Sequence, residues 1–284
     1  MSGSDLSNRV AIVAGASRGV GRGIALALGE AGATVYVTGR TLKAHRRRDV
    51  SGSIEETASD VTRLGGRGIA VQTDHTRVED VRALVDLVRT EAGCLDLLVH
   101  AVWGGNEVGI EAGPLWEQPL AHWDAMMRSG VWAAILTSRY AVPLLTERPG
   151  GLVATVTFAD RERYTGHLYY DLAKAALRRF AFGLAQDLEP HGAASVAISP
   201  GFVRTERVLA AFKTSERRWT SVPELAGSES PRYVGRALAA LAADPEAARF
   251  SGQTLLAADL ARRYGVTDLD GTQPEAFRLP EDRP

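Results

Sequence analysis

The 284-residue chain has one cysteine, Cys94, so it cannot close a disulfide on itself, and that usage suits a reducing cytoplasm. It has no run of about 18 uncharged apolar residues, the length a helix needs to cross a membrane. The first residues, MSGSDLSNR, lack the apolar core of a secretory signal. A formal net charge of −1 offers no field that would gather nucleic acid or an anionic membrane surface. His, Cys and Asp nowhere fall at metal-ligand spacing and no G-x-S-x-G elbow occurs, so metal and serine-hydrolase chemistry find no carrier. Internal repeats and low-complexity blocks are missing too. The expectation is a soluble, cytoplasmic, globular protein whose partner is a small molecule.

What is present is a rhythm. Short apolar runs at 10–14, 34–38, 68–72, 95–102, 152–157, 194–198 and 254–256 alternate with helical patterns at 21–31, 54–64, 78–90, 120–145, 168–188 and 231–243. Strands separated by helices of this length indicate βαβ units, hence an α/β fold with a doubly wound parallel sheet of about seven strands. Ligands of such a sheet bind beyond the carboxyl ends of its strands. No break divides the chain, so residues 1–284 read as a single domain with its core at 8–257. Three stretches stand outside the rhythm. One is basic, at 40–53, where Arg46, Arg47 and Arg48 read as solvated surface. A second, at 204–230, carries Leu209, Phe212 and Trp219 among charges and reads as a mobile lid. The third is a C-terminal extension at 258–284, whose last ten or so residues read as disordered.

Gly15, Gly19 and Gly21 follow the first apolar run in a G-x-x-x-G-x-G spacing and lead into a helical pattern. Glycines let a strand reverse into a helix, whose N-terminal N–H groups and positive dipole end seat a pyrophosphate. An ordinary tight turn uses the same glycines; the strand before, the helix after and the second strand soon after favour the nucleotide. At the end of that second strand, where a ribose 2′-hydroxyl calls for an acid, stands Arg40, with Arg18 of the glycine turn on the same side. Guanidinium pairs with phosphate in a bidentate, charge-assisted way, so the expected ligand carries a 2′-phosphate: NADP(H) in preference to NAD(H). Asp74, at the end of the third strand, either accepts from an adenine amine or turns the chain into the next helix.

Tyr170 and Lys174, four apart, share one face of a helix. An ammonium beside a phenol favours the phenolate, which fits the pair for proton transfer. A packed tyrosine and a solvated lysine often fall at this spacing by chance. What singles these out is their helix, which follows a strand ending in Thr155 and Thr157. Tyr169, one step off that face, reads as a pocket wall; His167 reads as a solvated loop residue or a substrate contact. Further on, Pro200-Gly201 turns the chain, and the Thr205 hydroxyl either meets a carboxamide or phosphate or caps a helix. Trp103, Phe158, Tyr164, Tyr169 and Phe202 near strand ends point to a hydrophobic or aromatic ketone, aldehyde or alcohol.

Together AGASRGVG, Asp74, YDLAK and PGFVRT resemble the short-chain dehydrogenase/reductase family, from Val10 to about Gly271. Within it, GRGIALAL, AGATVYVTGR and DLARRYGVTDLDG resemble the branch called dehydrogenase/reductase member 1. The resemblance implies a three-layer Rossmann fold, NADP(H), interconversion of a carbonyl and an alcohol, and assembly as a homodimer or homotetramer. It places Gly15, Ser17, Arg18, Gly19, Val20 and Gly21 on the pyrophosphate and ribose, Arg40 on the 2′-phosphate, and Asp74 on the adenine with His75 beside it. Ala101 and Gly201 line the same path, and Val203 and Thr205 meet the carboxamide. Lys174 bonds the nicotinamide ribose and depresses the Tyr170 phenol, while Thr157 stands thirteen residues before Tyr170, in the place of the catalytic serine.

Three departures accompany the likeness. The family's Asn-Asn-Ala-Gly appears as His100-Ala101-Val102-Trp103; its catalytic asparagine, which holds a water of a proton relay, aligns with Gly130; Phe158 stands where a second serine is usual. They keep two other readings open: a non-redox enzyme (dehydratase, epimerase or imine chemistry) that uses Tyr170, and a non-catalytic NADP(H)-binding protein.

Overall fold

The strand Val10–Ala14 (β1) is buried from end to end, and its residues alternate between two cores: Ala11 and Val13 face one, Val10 and Ile12 the other. The computed structural model describes residues 4–45, 51–109, 112–160 and 163–279, so Arg46, Arg47 and Arg48 lie outside the described residues. The other strands are β2 (Thr34–Gly39), β3 (Arg67–Gln72), β4 (Leu97–His100), β5 (Leu152–Val156), β6 (Ala194–Ser199) and β7 (Thr254–Leu256). All pair in parallel in the order β3-β2-β1-β4-β5-β6-β7. The order reverses between β1 and β4, which opens a crevice above their carboxyl ends.

Between the strands run α1 (Gly19–Glu30), α2 (Ile54–Arg63), α3 (Val78–Ala92), the short α4 (Gly105–Val108), α5 (Ala133–Leu145), α6 (Leu168–Leu188), the short α7 (Glu206–Ala211) and α8 (Pro231–Ala243); α9 (Ala257–Tyr264) follows β7. Ile24, Val61, Val234 and Leu260 from α1, α2, α8 and α9 fill one core; Leu84, Leu144 and Leu188 from α3, α5 and α6 fill the other. No helix among the described residues is long and apolar enough to cross a membrane.

Two expected elements differ in shape. The apolar run 95–102 forms strand only over Leu97–His100, because Asp96 is spent on the Val10 amide at 2.8 Å and the chain leaves the sheet once the Ala101 amide has bonded Ala14 O at 2.9 Å. The helix expected at 120–145 begins with wide π-type turns over Trp123–Trp132 and tightens into α5.

Both segments expected to be mobile make specific contacts. In 204–230, buried Arg204 sets Nη2 3.1 Å from Asp268 Oδ2 and Nε 3.0 Å from Glu216 Oε1, and Nη1 donates to Ser228 O at 2.6 Å. A buried charge persists only when so paired, and these pairs bind the segment to the C-terminal extension. Of the last ten residues, expected to be disordered, 280–284 lie outside the described residues and those before them make contacts. The Leu279 amide donates to Asp160 Oδ2 at 2.6 Å, Arg163 Nη1 donates to Leu279 O at 2.7 Å, and the Phe277 ring lies 6.4 Å from Phe158 and 6.3 Å from Phe202.

Two buried imidazoles fasten the sheet ends to α5. Thr38 Oγ1 donates to Val13 O, so His75 Nε2 donates to Thr38 Oγ1 at 2.7 Å, and His75 Nδ1 meets Thr137 Oγ1 at 2.9 Å. His100 Nε2 meets Ser138 Oγ at 2.8 Å. Burial pushes His75 down to about 4 and His100 down to about 3 from the ordinary 6.5. Both values are depressed, so the stability these neutral rings confer is full above pH 6.5 and is lost as pH falls towards about 4 and about 3. Denaturant titrations across this window should therefore show stability falling with pH. The slope should lessen by about 1.4 kcal/mol per pH unit in His100→Gln; an unchanged slope would refute the assignment.

Candidate active site

The glycine turn is built by contact. A Cβ on Gly15, where φ is +83°, would lie 2.7 Å from the Val102 amide nitrogen, and one on Gly21 would lie 2.2 Å from Gly15 O. The Gly15 and Ala16 amides donate to Thr38 O at 3.0 and 2.9 Å, which presses the turn against the end of β2. The carbonyl of Ser17 faces Gly52, and Val20 packs on the core behind the turn. At the α1 N-terminus the Gly19 amide donates to Glu206 Oε2 at 2.9 Å, with Arg22 Nη1 3.6 Å from the other oxygen. A side-chain carboxylate thus stands where this turn is shaped to receive an anion. Arg18 donates through Nη2 to Thr41 Oγ1 at 2.8 Å, but its buried Nε has no partner among the described residues. Arg40 sits close enough for the two guanidiniums to repel, and its own contact is a loose 3.8 Å to Glu107. The cradle, the stand-in carboxylate and the orphaned guanidinium nitrogen fit the diphosphate of a nicotinamide dinucleotide.

Asp74 Oδ1 accepts from the Thr76 amide at 2.9 Å and from Thr76 Oγ1 at 2.7 Å, holding its carboxyl below the ordinary range. The His75 ring, expected beside a cofactor, is turned inward onto Thr38 and Thr137.

Tyr170 and Lys174 project from the first turns of α6 towards the loops after β4 and β5. The Tyr170 ring meets Trp103 edge-on at 5.6 Å and Phe158 at 6.1 Å; Lys174 Nζ lies 3.9 Å over the Trp103 ring and 5.6 Å from the Tyr170 ring. The start of the helix is fixed from beneath. The Tyr170 amide donates to His167 Nδ1 at 3.2 Å, which leaves the proton on His167 Nε2 to bridge to His122 Nδ1 at 3.0 Å. His167 is thus a buried cap, neither solvated nor facing a ligand.

The expected tuning of the phenol is corrected. Burial, then the Asp171 carboxylate, pushes Tyr170 well above the ordinary phenol value, and burial brings the Lys174 ammonium down to about 7. In this enclosed pair desolvation outweighs the attraction between ammonium and phenolate. Thr157 Oγ1 donates to Lys174 O at 2.8 Å, so its proton is spent on the α6 backbone.

Beyond β6, the Gly201 amide donates to Glu229 Oε1 at 3.0 Å, and Val203 bridges to Glu229 in strand fashion. Burial pushes Glu229 up to about 7. Thr205 Oγ1 caps α7 by accepting from Val208 at 3.4 Å, while its methyl would meet a Cβ on Gly19 at 3.7 Å. Glu206, Glu229 and Phe277 escape sequence reasoning. Only Phe277 leaves a trace there, as an aromatic in a polar tail.

Residues 15–258 match the family described as enoyl-(acyl carrier protein) reductase. The chain is 36% identical over 274 residues to mouse dehydrogenase/reductase SDR family member 1, covering 94% of this chain and 85% of that protein. It is 30% identical to a hydroxynaphthalene reductase of Aspergillus fumigatus, covering 82% of this chain and 78% of the relative. A short-chain dehydrogenase from Burkholderia cenocepacia solved in complex with NADP superposes with a TM-score of 0.69 at 28% identity, covering 88% of this chain and 96% of that one. The chain belongs to the short-chain dehydrogenase/reductase family. Proteins of this family bind a nicotinamide cofactor.

One departure from the short-chain dehydrogenase/reductase pattern now has a physical reading. His100 braces β4 to α5 through Ser138, while Ala101 next to it packs on the glycine turn, its carbonyl carbon and oxygen 2.8 Å from where a Gly15 Cβ would sit and its own Cβ 3.1 Å from where a Gly21 Cβ would sit. Replacing Glu206 by Gln removes the carboxylate that competes for the α1 N-terminus. Calorimetry should therefore show a nicotinamide dinucleotide binding about fivefold more tightly, a gain of about 1 kcal/mol. Weaker binding would mean that Glu206 belongs to the seat.

Proposed function

We propose that this protein is an NADP(H)-dependent reductase of small hydrophobic or aromatic carbonyl compounds, with Tyr170 as proton donor. The observation that carries the reading is the enclosure of Tyr170 and Lys174 against Trp103 and Phe158, which follow β4 and β5 beside the crevice. When bound, the nicotinamide supplies the hydride. Tyr170 holds a proton at neutral pH because burial and Asp171 oppose its loss, which suits a donor to a carbonyl oxygen. Lys174 supplies positive charge next to the phenolate left behind, and Thr157 fixes the helix that presents both.

Arg18 and Arg40 support the 2′-phosphate, hence NADP(H) over NAD(H). Asp74 takes the adenine edge; Gly15, Gly19, Gly21 and their neighbours take the diphosphate; Val203 and Thr205 stand next to the carboxamide. Trp103, Phe158, Phe202 and Phe277 supply apolar walls, and a cavity of about 190 Å³ beside Phe158 and Lys174 adds a polar lining of Asp160, Asp171 and Arg178. The reading takes 1–284 as one nucleotide-binding domain in a reducing cytoplasm. Homodimers or homotetramers form through exposed Ile135, Leu172 and Phe182 on α5 and α6.

Tyr170→Phe should lower carbonyl-dependent NADPH oxidation by about 10² to 10⁴ while NADPH still binds; full activity would overturn the site. Arg40→Glu should weaken NADPH by about 30-fold and leave NADH little changed, a contrast that fluorescence titration of both cofactors measures.

A further inference from the structure

The Lys174 ammonium has an unusual neighbour. Among the described residues no carboxylate or hydrogen-bond acceptor meets Nζ; the near group is the Trp103 indole, with Nζ 3.9 Å from the ring centroid, while the Tyr170 ring lies at 5.6 Å. Space for that indole comes from missing side chains. A Cβ on Gly130 would lie 3.1 Å from Trp103 Cε3 and Cζ3, and one on Gly105 would lie 2.7 Å from Cζ2. Gly130 sits in the wide turns of Trp123–Trp132, which bring its bare backbone against the ring. An aromatic face attracts a cation, and more strongly where water is excluded.

We propose that Trp103 is a positioning residue, its indole face, admitted by the bare Cα of Gly130, holding the Lys174 ammonium beside the Tyr170 phenol. The proposal rests on the reading of Tyr170 and Lys174 as the proton-handling pair, and it gives the large residue after β4 a task in that pair. Other charged or titratable groups facing Lys174 are Tyr170 and Asp171 on α6, Arg178 one turn on, and Asp160, Arg163 and Tyr164, which border the cavity Lys174 also lines. Of these, Tyr170 also packs edge-on against Trp103 at 5.6 Å, so the Trp103→Phe variant, which keeps a ring there, is the control for that contact.

The chain contains three lysines, Lys43, Lys174 and Lys213, so carbon-13 lysine NMR of the whole protein resolves the titration of Lys174, assigned with Lys174→Arg. Loss of the ring face destabilises the ammonium, so Trp103→Leu should lower the Lys174 midpoint by about one pH unit. Trp103→Phe should recover most of that shift. Gly130→Ala, which has no positive φ to strain and a better helix former in place, should push the ring aside and lower the midpoint in the same direction. In turnover assays the alkaline limb of kcat/KM should move by the same amount, whereas a merely structural role would lower kcat evenly at every pH. A midpoint that stays put or rises in Trp103→Leu overturns the proposal. An NMR shift without any carbonyl-dependent NADPH oxidation by the wild type would instead overturn the proposed function and leave the indole–ammonium contact standing.

Discussion

Gly15 and Val102 approach so closely that no side chain fits between them, and much of the molecule follows from that contact. It holds the turn after β1 against the chain leaving β4, at the point where the strand order reverses. Because the turn cannot back away, the α1 N-terminus is held at the crevice, and Glu206, from the segment after β6, reaches the Gly19 amide. Because the chain after β4 must leave at Ala101, Trp103 is delivered over the crevice, where it meets Tyr170 and Lys174. One backbone contact thus aligns the anion seat with the phenol.

The same enclosure sets the electrostatics. His75, His100, Tyr170, Lys174 and Glu229 are all displaced towards their neutral forms, each with burial as the largest cause. Where charge is kept, it is paired: Arg204 has Asp268, Glu216 and a backbone carbonyl. Around Tyr170 and Lys174 burial thus favours the neutral forms, while the guanidiniums of Arg18 and Arg40 stand by the glycine turn. Such a division suits a ligand with charged phosphates at one end and an uncharged reacting group at the other.

Much of the fold was legible because its signals are local. An apolar strand running into glycines, an arginine ending the next strand, and a tyrosine and lysine one helical turn apart each need only a few consecutive residues to be read. Less was legible where a side chain chooses among distant partners. Nothing near Thr157 tells that its proton goes to Lys174 O, and nothing near His75 tells that its ring turns inward to Thr137. The contacts of the lid and tail were hidden for a related reason: charges that look solvated in sequence, such as Arg204 and Asp268, are 64 residues apart and neutralise each other inside.

The sequence by itself determined the alternation of strands and helices, the glycine turn and the closeness of Tyr170 to Lys174, since strand and helix periodicity and glycine's backbone freedom act over a handful of residues. Only the tertiary structure decided that Glu206, 187 residues from Gly19, occupies the anion seat, that Phe277 closes over Phe158, and that burial pushes the phenol up instead of down. Desolvation and long-range contact depend on what the whole fold packs around a group, and that is written in no single stretch of chain.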